Sequence, residues 1–271
     1  MQPTSNATWK TLQVGWQALT GLICPPECHW CQCPVPSGDG LCSECRQRLV
    51  AEYYHCQRCA TPLPSVVPNR DCFRCRNMDW KFRKIIALGP YRGRLREAAI
   101  LMKKNSAERF RQYAGRLLAE RLRQVELVAA QPKGKLANGL AAPLVVPVPN
   151  YWSHPFARTA NTAASLAQAI SDRLDWPLNT RAVSRVRKTA KQGMLSWTER
   201  KLNVRGAFKL RTADAFAGKH VFLIDDVLTS GATAAELARI ILKGGARQVD
   251  VAVVARGTGA REVPQAPLPA G

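Results

Sequence analysis

Short apolar runs alternate with amphipathic stretches along most of the chain. Residues 221–224, "VFLI", are four consecutive apolar positions without alternation. That is the pattern of a strand buried on both faces, as in a parallel sheet covered by helices. Similar runs predict strands at "KIIAL" (84–88), "APLVVPV" (142–148), 182–186 and "VDVAVVA" (249–255). Between them, helical spacing predicts helices over 93–104, 107–128, 161–174 and 232–243. In the second of these Phe110, Ala114, Leu117, Leu118, Leu122 and Val125 form one apolar stripe. Strands alternating with helices imply right-handed crossovers and a mostly parallel sheet flanked by helices, an α/β domain over 80–257.

The ends of the chain read differently. Trp9, Leu12, Trp16, Leu19 and Ile23 lie at helical spacing, predicting a short amphipathic helix over 1–23 that docks on the body. Lys10 is its one basic anchor, which argues against a membrane-surface helix. Residues 24–79 are rich in Cys, Pro and Gly and lack periodicity, so they bury little and need stapling. The Pro-rich end, 258–271, reads as a disordered tail.

Charge separates these regions. The chain carries +21, yet residues 1–80 hold seven basic and six acidic residues, so nearly all of the excess belongs to the α/β part. Residues 81–123 hold thirteen basic and three acidic residues, and 181–211 hold ten and one. Such clustering implies anionic partners and says little about fold. No leader pattern opens the chain and no apolar run approaches the roughly eighteen residues of a membrane span. No membrane insertion is expected, and a cytoplasmic setting with reduced thiols is. Oligomeric state is not set by the sequence.

The ten cysteines then require a purpose other than disulfides. Eight form four C-x2-C pairs: Cys28 and Cys31, Cys42 and Cys45, Cys56 and Cys59, Cys72 and Cys75. A C-x2-C turn aims two thiolates at one tetrahedral ion, and two turns complete a four-sulfur shell. Two structural Zn2+ ions are the reading, with sequential pairing favoured over a cross-braced one. A redox dithiol would need a βαβ setting that this stretch lacks. Cys24 and Cys33 are left over, and Cys33 can compete for a ligand position. Eight thiolates around two zinc ions add a charge of about −4, which repels phosphate and favours a scaffold over direct DNA readout.

The chemistry concentrates at "VFLIDDVLTSGAT", Val221 to Thr233. A buried strand runs into two carboxylates, then through small and hydroxyl residues into a helix. Backbone N–H groups at a helix N-terminus favour a phosphate. Adjacent carboxylates make sense beside such a site when the ligand is a sugar phosphate whose vicinal hydroxyls donate to Asp225 and Asp226. The bland alternative is an ordinary strand, surface acids and a capped helix.

This stretch resembles the phosphoribosyl pyrophosphate (PRPP) binding motif of type I phosphoribosyltransferases. With the cysteine pairs, "YRGRLREAAILMKKN", "LVVPVP" and "RVRKTAKQGMLSWTERKLNVRGAF", the chain resembles the ComF family, competence-associated relatives of the amidophosphoribosyltransferases. The resemblance implies a type I phosphoribosyltransferase-like domain preceded by a double zinc-binding module. It implies that Asp225 and Asp226 hold the ribose hydroxyls and that Thr229, Ser230, Gly231, Ala232 and Thr233 take the 5-phosphate of PRPP carried with Mg2+. Arg187, Lys188, Gln192, Arg200 and Arg205 would belong to a flexible hood. Arg158 would act beside the two carboxylates, from the loop that takes pyrophosphate. There the chain departs from the family: after "VPVP" it reads "NYWSHPFARTANTA", where only Arg158 and Asn161 match. Two functions follow as expectations. One is transfer of phosphoribose to a nitrogen acceptor; the other is a non-catalytic PRPP sensor, or a protein associated with single-stranded DNA or the DNA-uptake machinery.

Overall fold

The computed structural model of the chain describes residues 27–35, 40–50, 53–64, 72–76, 78–129, 142–150, 161–189 and 197–258. The expected helix over 1–23, Arg158, Gln192 and the tail from 259 onward lie outside them. By compactness the chain divides into Met1–Arg48 and Leu49–Gly271. The expected cysteine module over 24–79 spans that division: the first two pairs lie in the first unit, the last two in the second. Helix α1 (Ser43–Leu49) follows Cys42 and reaches the boundary.

The second unit is built on a four-stranded parallel sheet. Its strands are β1 (Ile85–Pro90), β2 (Leu144–Pro147), β5 (His220–Leu228) and β6 (Gln248–Arg256), in the order β1-β6-β5-β2. Successive side chains point to opposite faces of a strand. Ile85 and Ala87, Val221 and Leu223, and Val249, Val251 and Val253 share one core with Cys56, Cys59, Cys72 and Cys75 and with Leu237 and Ile241. The intervening Ile86, Phe222, Ile224, Ala252 and Val254 are buried too, because α3 (Glu108–Ala129) and α4 (Thr162–Leu174) pack on the sheet. Both faces are covered, which is why the strands read as unbroken apolar runs. Helix α2 (Gly93–Leu101) follows β1, and α6 (Ala232–Lys243) links β5 to β6.

Gly115 allows α3 and α4 to approach closely: a Cβ there would lie 2.6 Å from Ala169 Cβ and 2.9 Å from the Leu166 carbonyl. Asn161 caps α4, its side-chain oxygen accepting from the Ala164 N–H at 3.1 Å. The lone acid of "VDVAVVA", Asp250, is fully buried at the amino end of the sheet. Arg83, His220 and Gln248 donate to its carboxylate at 2.6–3.1 Å, and against the cost of burial His220 and Arg83 hold its carboxyl below the usual range.

Two features differ from the sequence reading. The strand expected near 182–186 is β3 (Val183–Arg185), and it pairs antiparallel with β4 (Phe208–Leu210) in a separate two-stranded sheet. The basic segment between them contains α5 (Trp197–Val204), which the apolar pattern missed because "WTERKLNV" is largely polar.

Candidate functional site

The carboxylates sit inside β5 rather than at its end, because β5 continues to Leu228 beside β6. On its other side β2 stops: Pro147 is opposite Ile224, and the last bond is Val148 N–H to the Ile224 carbonyl at 2.9 Å. From Asp225 onward no strand among the described residues pairs with that flank of β5, which places the two carboxylates at the carboxyl edge of a parallel sheet, where such folds form a ligand crevice. Each carboxylate folds back onto the next backbone N–H, Asp225 Oδ1 accepting from Asp226 at 2.9 Å and Asp226 Oδ1 from Val227 at 2.7 Å. Burial, then the adjacent Asp226 carboxylate, pushes the Asp225 carboxyl well above the usual range.

The turn after β5 brings Thr229, Ser230 and Gly231 to the start of α6. Gly231 occupies the N-cap with φ of 77°, and Ser230 Oγ accepts from the Ala232 N–H at 3.3 Å. Glycine is required twice over at this position. The backbone is left-handed, and a Cβ would come within 3.1 Å of Trp80 Nε1. Gly231→Ala is expected to destabilise the second unit by about 1–2 kcal/mol and to displace the turn, read by thermal melting and by phosphate-ester titration.

Cations gather around the crevice. Lys103 lies close enough for its charge to act on Asp225. It is held in a tight turn, since buried Arg111 Nη1 donates to the carbonyls of Met102 and Lys104 at 2.8 Å each and Thr162 Oγ1 donates to Met102 at 3.2 Å. Arg185 also feels Asp225, and its buried Nε has no hydrogen-bond acceptor among the described residues. Arg200, on α5, donates Nη1 to Thr229 Oγ1 at 3.4 Å, joining that helix to the turn. Arg187 instead donates to the carbonyls of Asn203 and Arg205 at 2.9 and 3.1 Å, tying β3's end to the end of α5. Lys188 and Arg205 are exposed. The residues after α5 are anchored to α6 where Gly206 N–H donates to Glu236 at 2.9 Å. Arg185 was not singled out from the sequence because nothing local separates it from the neighbouring basic residues.

The cysteines form two groups. Cys56, Cys59, Cys72 and Cys75 are all buried, with sulfurs 3.5–3.9 Å apart between Cys59 and Cys72, Cys56 and Cys75, and Cys72 and Cys75. Four sulfurs at about 2.3 Å from one tetrahedral ion would stand about 3.8 Å apart, so this set fits zinc. The Cys59 thiol and backbone N–H groups hold Cys56 at about 4, a thiolate at neutral pH. In the first unit Cys28, Cys31, Cys33 and Cys42 lie within 4.8 Å of one another. Cys45, expected as the fourth ligand there, stands beside them: its N–H reaches Cys42 Sγ at 3.4 Å, and its thiol is raised by burial and by Cys42, Cys31 and Cys28. The Cys31–Cys33 distance of 3.3 Å is tighter than tetrahedral spacing, whereas Cys31–Cys42 at 3.7 Å matches it.

Comparison with known proteins agrees with both parts. A double zinc ribbon domain matches residues 19–76 and a phosphoribosyl transferase domain matches residues 160–268. The chain is 30% identical over 232 residues to the DNA utilization protein YhgH of Salmonella typhimurium, covering 85% of this chain and 96% of that one. The chain belongs to the ComF family. Competence protein F of Haemophilus influenzae is 29% identical over 220 residues, covering 80% of this chain and 91% of that protein. This ComF-family chain is thus phosphoribosyltransferase-like, with a parallel sheet flanked by helices and cysteine groups of zinc-ribbon type. No helix among its described residues is long and apolar enough to cross a membrane.

Proposed function

We propose that the crevice binds PRPP with Mg2+ and transfers its phosphoribose to a nitrogen acceptor. The observation that carries this reading is the end of β5 beyond its pairing with β2, where two carboxylates stand beside a helix N-terminal turn. Asp225 and Asp226 accept from the ribose hydroxyls, and the N–H groups and hydroxyls of Thr229 to Thr233 take the 5-phosphate. The acceptor nitrogen bonds to C1 of the ribose while the C1–oxygen bond breaks, and pyrophosphate leaves with the electron pair. Mg2+ carried with the substrate would supply the positive charge that stabilises that leaving group. Lys103 and Arg185 supply positive charge near the carboxylates, where the loop containing Arg158 offers few cations. Arg200 joins the turn to a hood that, on closing, excludes water. Calorimetric titration with PRPP and Mg2+, with a pyrophosphate assay on the same samples, tests this. One bound PRPP per chain is expected, and absence of binding would overturn it.

A second reading concerns nucleic acid. The relatives' names, a DNA utilization protein and a competence protein, support a role in DNA uptake or use. Arg92 before α2, Arg96 on it, Lys104 in the turn that follows and Arg109 and Arg116 on α3 are exposed. Engagement of about four phosphates of single-stranded DNA predicts a log–log salt slope of roughly −3. A salt-insensitive or absent shift in a mobility assay would remove this role.

A further inference from the structure

One buried cation connects two parts of the second unit that the proposed chemistry keeps apart. Arg256 closes β6 and is 4% exposed. Its Nε donates to the Cys59 carbonyl at 2.9 Å. Its Nη1 donates to the Leu228 carbonyl at 2.9 Å and to the carbonyls of Thr229 and Gly257. Among the described residues, every acceptor of this guanidinium is thus a main-chain oxygen, on the cysteine ribbon at one end and on the phosphate-binding turn at the other. The guanidinium also lies 5.9 Å from the centroid of the Trp80 ring, the ring that rests against Gly231. Arg74, between Cys72 and Cys75, donates to the Thr258 carbonyl, so the same ribbon grips the chain on both sides of Gly257.

Charge gives the arrangement a reason. Burying a guanidinium is costly unless an opposite charge lies near. The groups whose negative charge would act on Arg256 include the sulfurs of Cys59 and Cys72, which a bound zinc ion would hold as thiolates. Four thiolates on one zinc ion would carry a net charge of about −2, and the guanidiniums of Arg256, Arg74 and Arg58 lie around it, Arg58 donating to the Cys75 carbonyl at 3.3 Å. The second cysteine cluster can therefore supply the negative field that keeps a cation buried directly beneath a turn whose ligand is an anion.

We propose that Arg256 is a positioning residue that couples the second cysteine cluster to the Leu228–Gly231 turn, so that an intact cluster is a condition for a formed phosphate site. The assignment of the turn to phosphate rests on the function proposed above; the coupling itself is a property of the ligand-free chain. It is tested by hydrogen–deuterium exchange on the full chain without ligand, comparing native protein with Arg256→Lys, which keeps the charge but loses the fork, and Arg256→Met, which loses both. Exchange at 229–233 is expected to accelerate by about tenfold in the lysine variant and further in the methionine variant, while amides of β1 and α3 stay as protected as in the native chain. PRPP affinity should fall in the same order, with lysine recovering part of what methionine loses. Unchanged exchange at 229–233 in the lysine variant would overturn the coupling, as would acceleration spread evenly over the second unit, which marks a general structural role. If the methionine variant fails to fold, the lysine variant decides. If the native chain binds no PRPP, the phosphate assignment falls while the exchange comparison still decides the coupling.

Discussion

Replacing Asp225 and Asp226 together by asparagine is expected to weaken PRPP binding by about 100-fold or more while making the ligand-free protein more stable. A hydrogen bond to a charged group contributes about 1.5–3 kcal/mol, so loss of two carboxylates that accept ribose hydroxyls weakens binding by about 3 kcal/mol or more, on the order of 100-fold. The stability change has the opposite sign. Asp225 is held in a half-buried strand next to a second carboxylate, and both influences favour its protonated form. A carboxyl whose folded pKa is raised contributes stability below its unfolded pKa and loses it as pH rises through the folded one. Each pKa unit of that displacement corresponds to about 1.4 kcal/mol at neutral pH. The neutral amide removes the repulsion, and for a unit of this size about 1 kcal/mol appears as 2–4 °C in Tm. Binding runs the other way in the native chain. PRPP affinity should rise with pH through the raised Asp225 pKa, because the ionised carboxylate is the acceptor. Parallel melting and calorimetry on native and variant protein check both signs; an unchanged affinity would contradict the roles assigned to these carboxylates.

The second large effect separates the two cysteine groups. Cys72→Ser is expected to prevent the second unit from folding, whereas Cys42→Ser should leave its sheet intact. Cys56, Cys59, Cys72 and Cys75 belong to the same buried core as Ile85, Leu223 and Val251. Apparent binding of structural zinc is about 10–16 kcal/mol per site, which exceeds or matches the whole stability of an ordinary domain at about 5–15 kcal/mol. Cys42 lies in the other unit. Zinc content and far-ultraviolet circular dichroism distinguish the outcomes: about two zinc ions for the native chain, and a folded sheet with one for Cys42→Ser. A well-folded Cys72→Ser protein would show that the second cluster does not hold this core.

What could be read from the sequence follows from how local each signal is. The strands of the parallel sheet were legible because burial on both faces forces unbroken apolar runs such as Val221 to Ile224, and α3 because its stripe from Phe110 to Val125 repeats over about four turns. That each C-x2-C turn brings two sulfurs to one point was legible too, but spacing only favoured sequential pairing; the grouping of Cys56 and Cys59 with Cys72 and Cys75 comes from the structure. Long-range contacts leave no such trace. Arg256 meets Cys59 across 197 residues of chain, and in the sequence it is one arginine after an apolar strand. Trp80 beneath Gly231 is equally silent. Of the small sheet β3 was expected as a strand, but β4 and their antiparallel pairing were missed, because strands of three residues carry too little alternation to show their partner. That Asp225 lies beyond the pairing of β5 with β2 depends on where β2 stops, which the prolines after Val146 suggest only once the register with β5 is known.

The account turns on the location of the ligand, and amide hydrogen exchange with and without PRPP and Mg2+ measures that directly. The prediction is slowed exchange over Asp226 to Thr233 and the first turn of α6, with the far, amino end of the sheet around His220 and Gln248 unchanged. Protection confined to other residues, in protein shown by calorimetry to be saturated with PRPP, would contradict it.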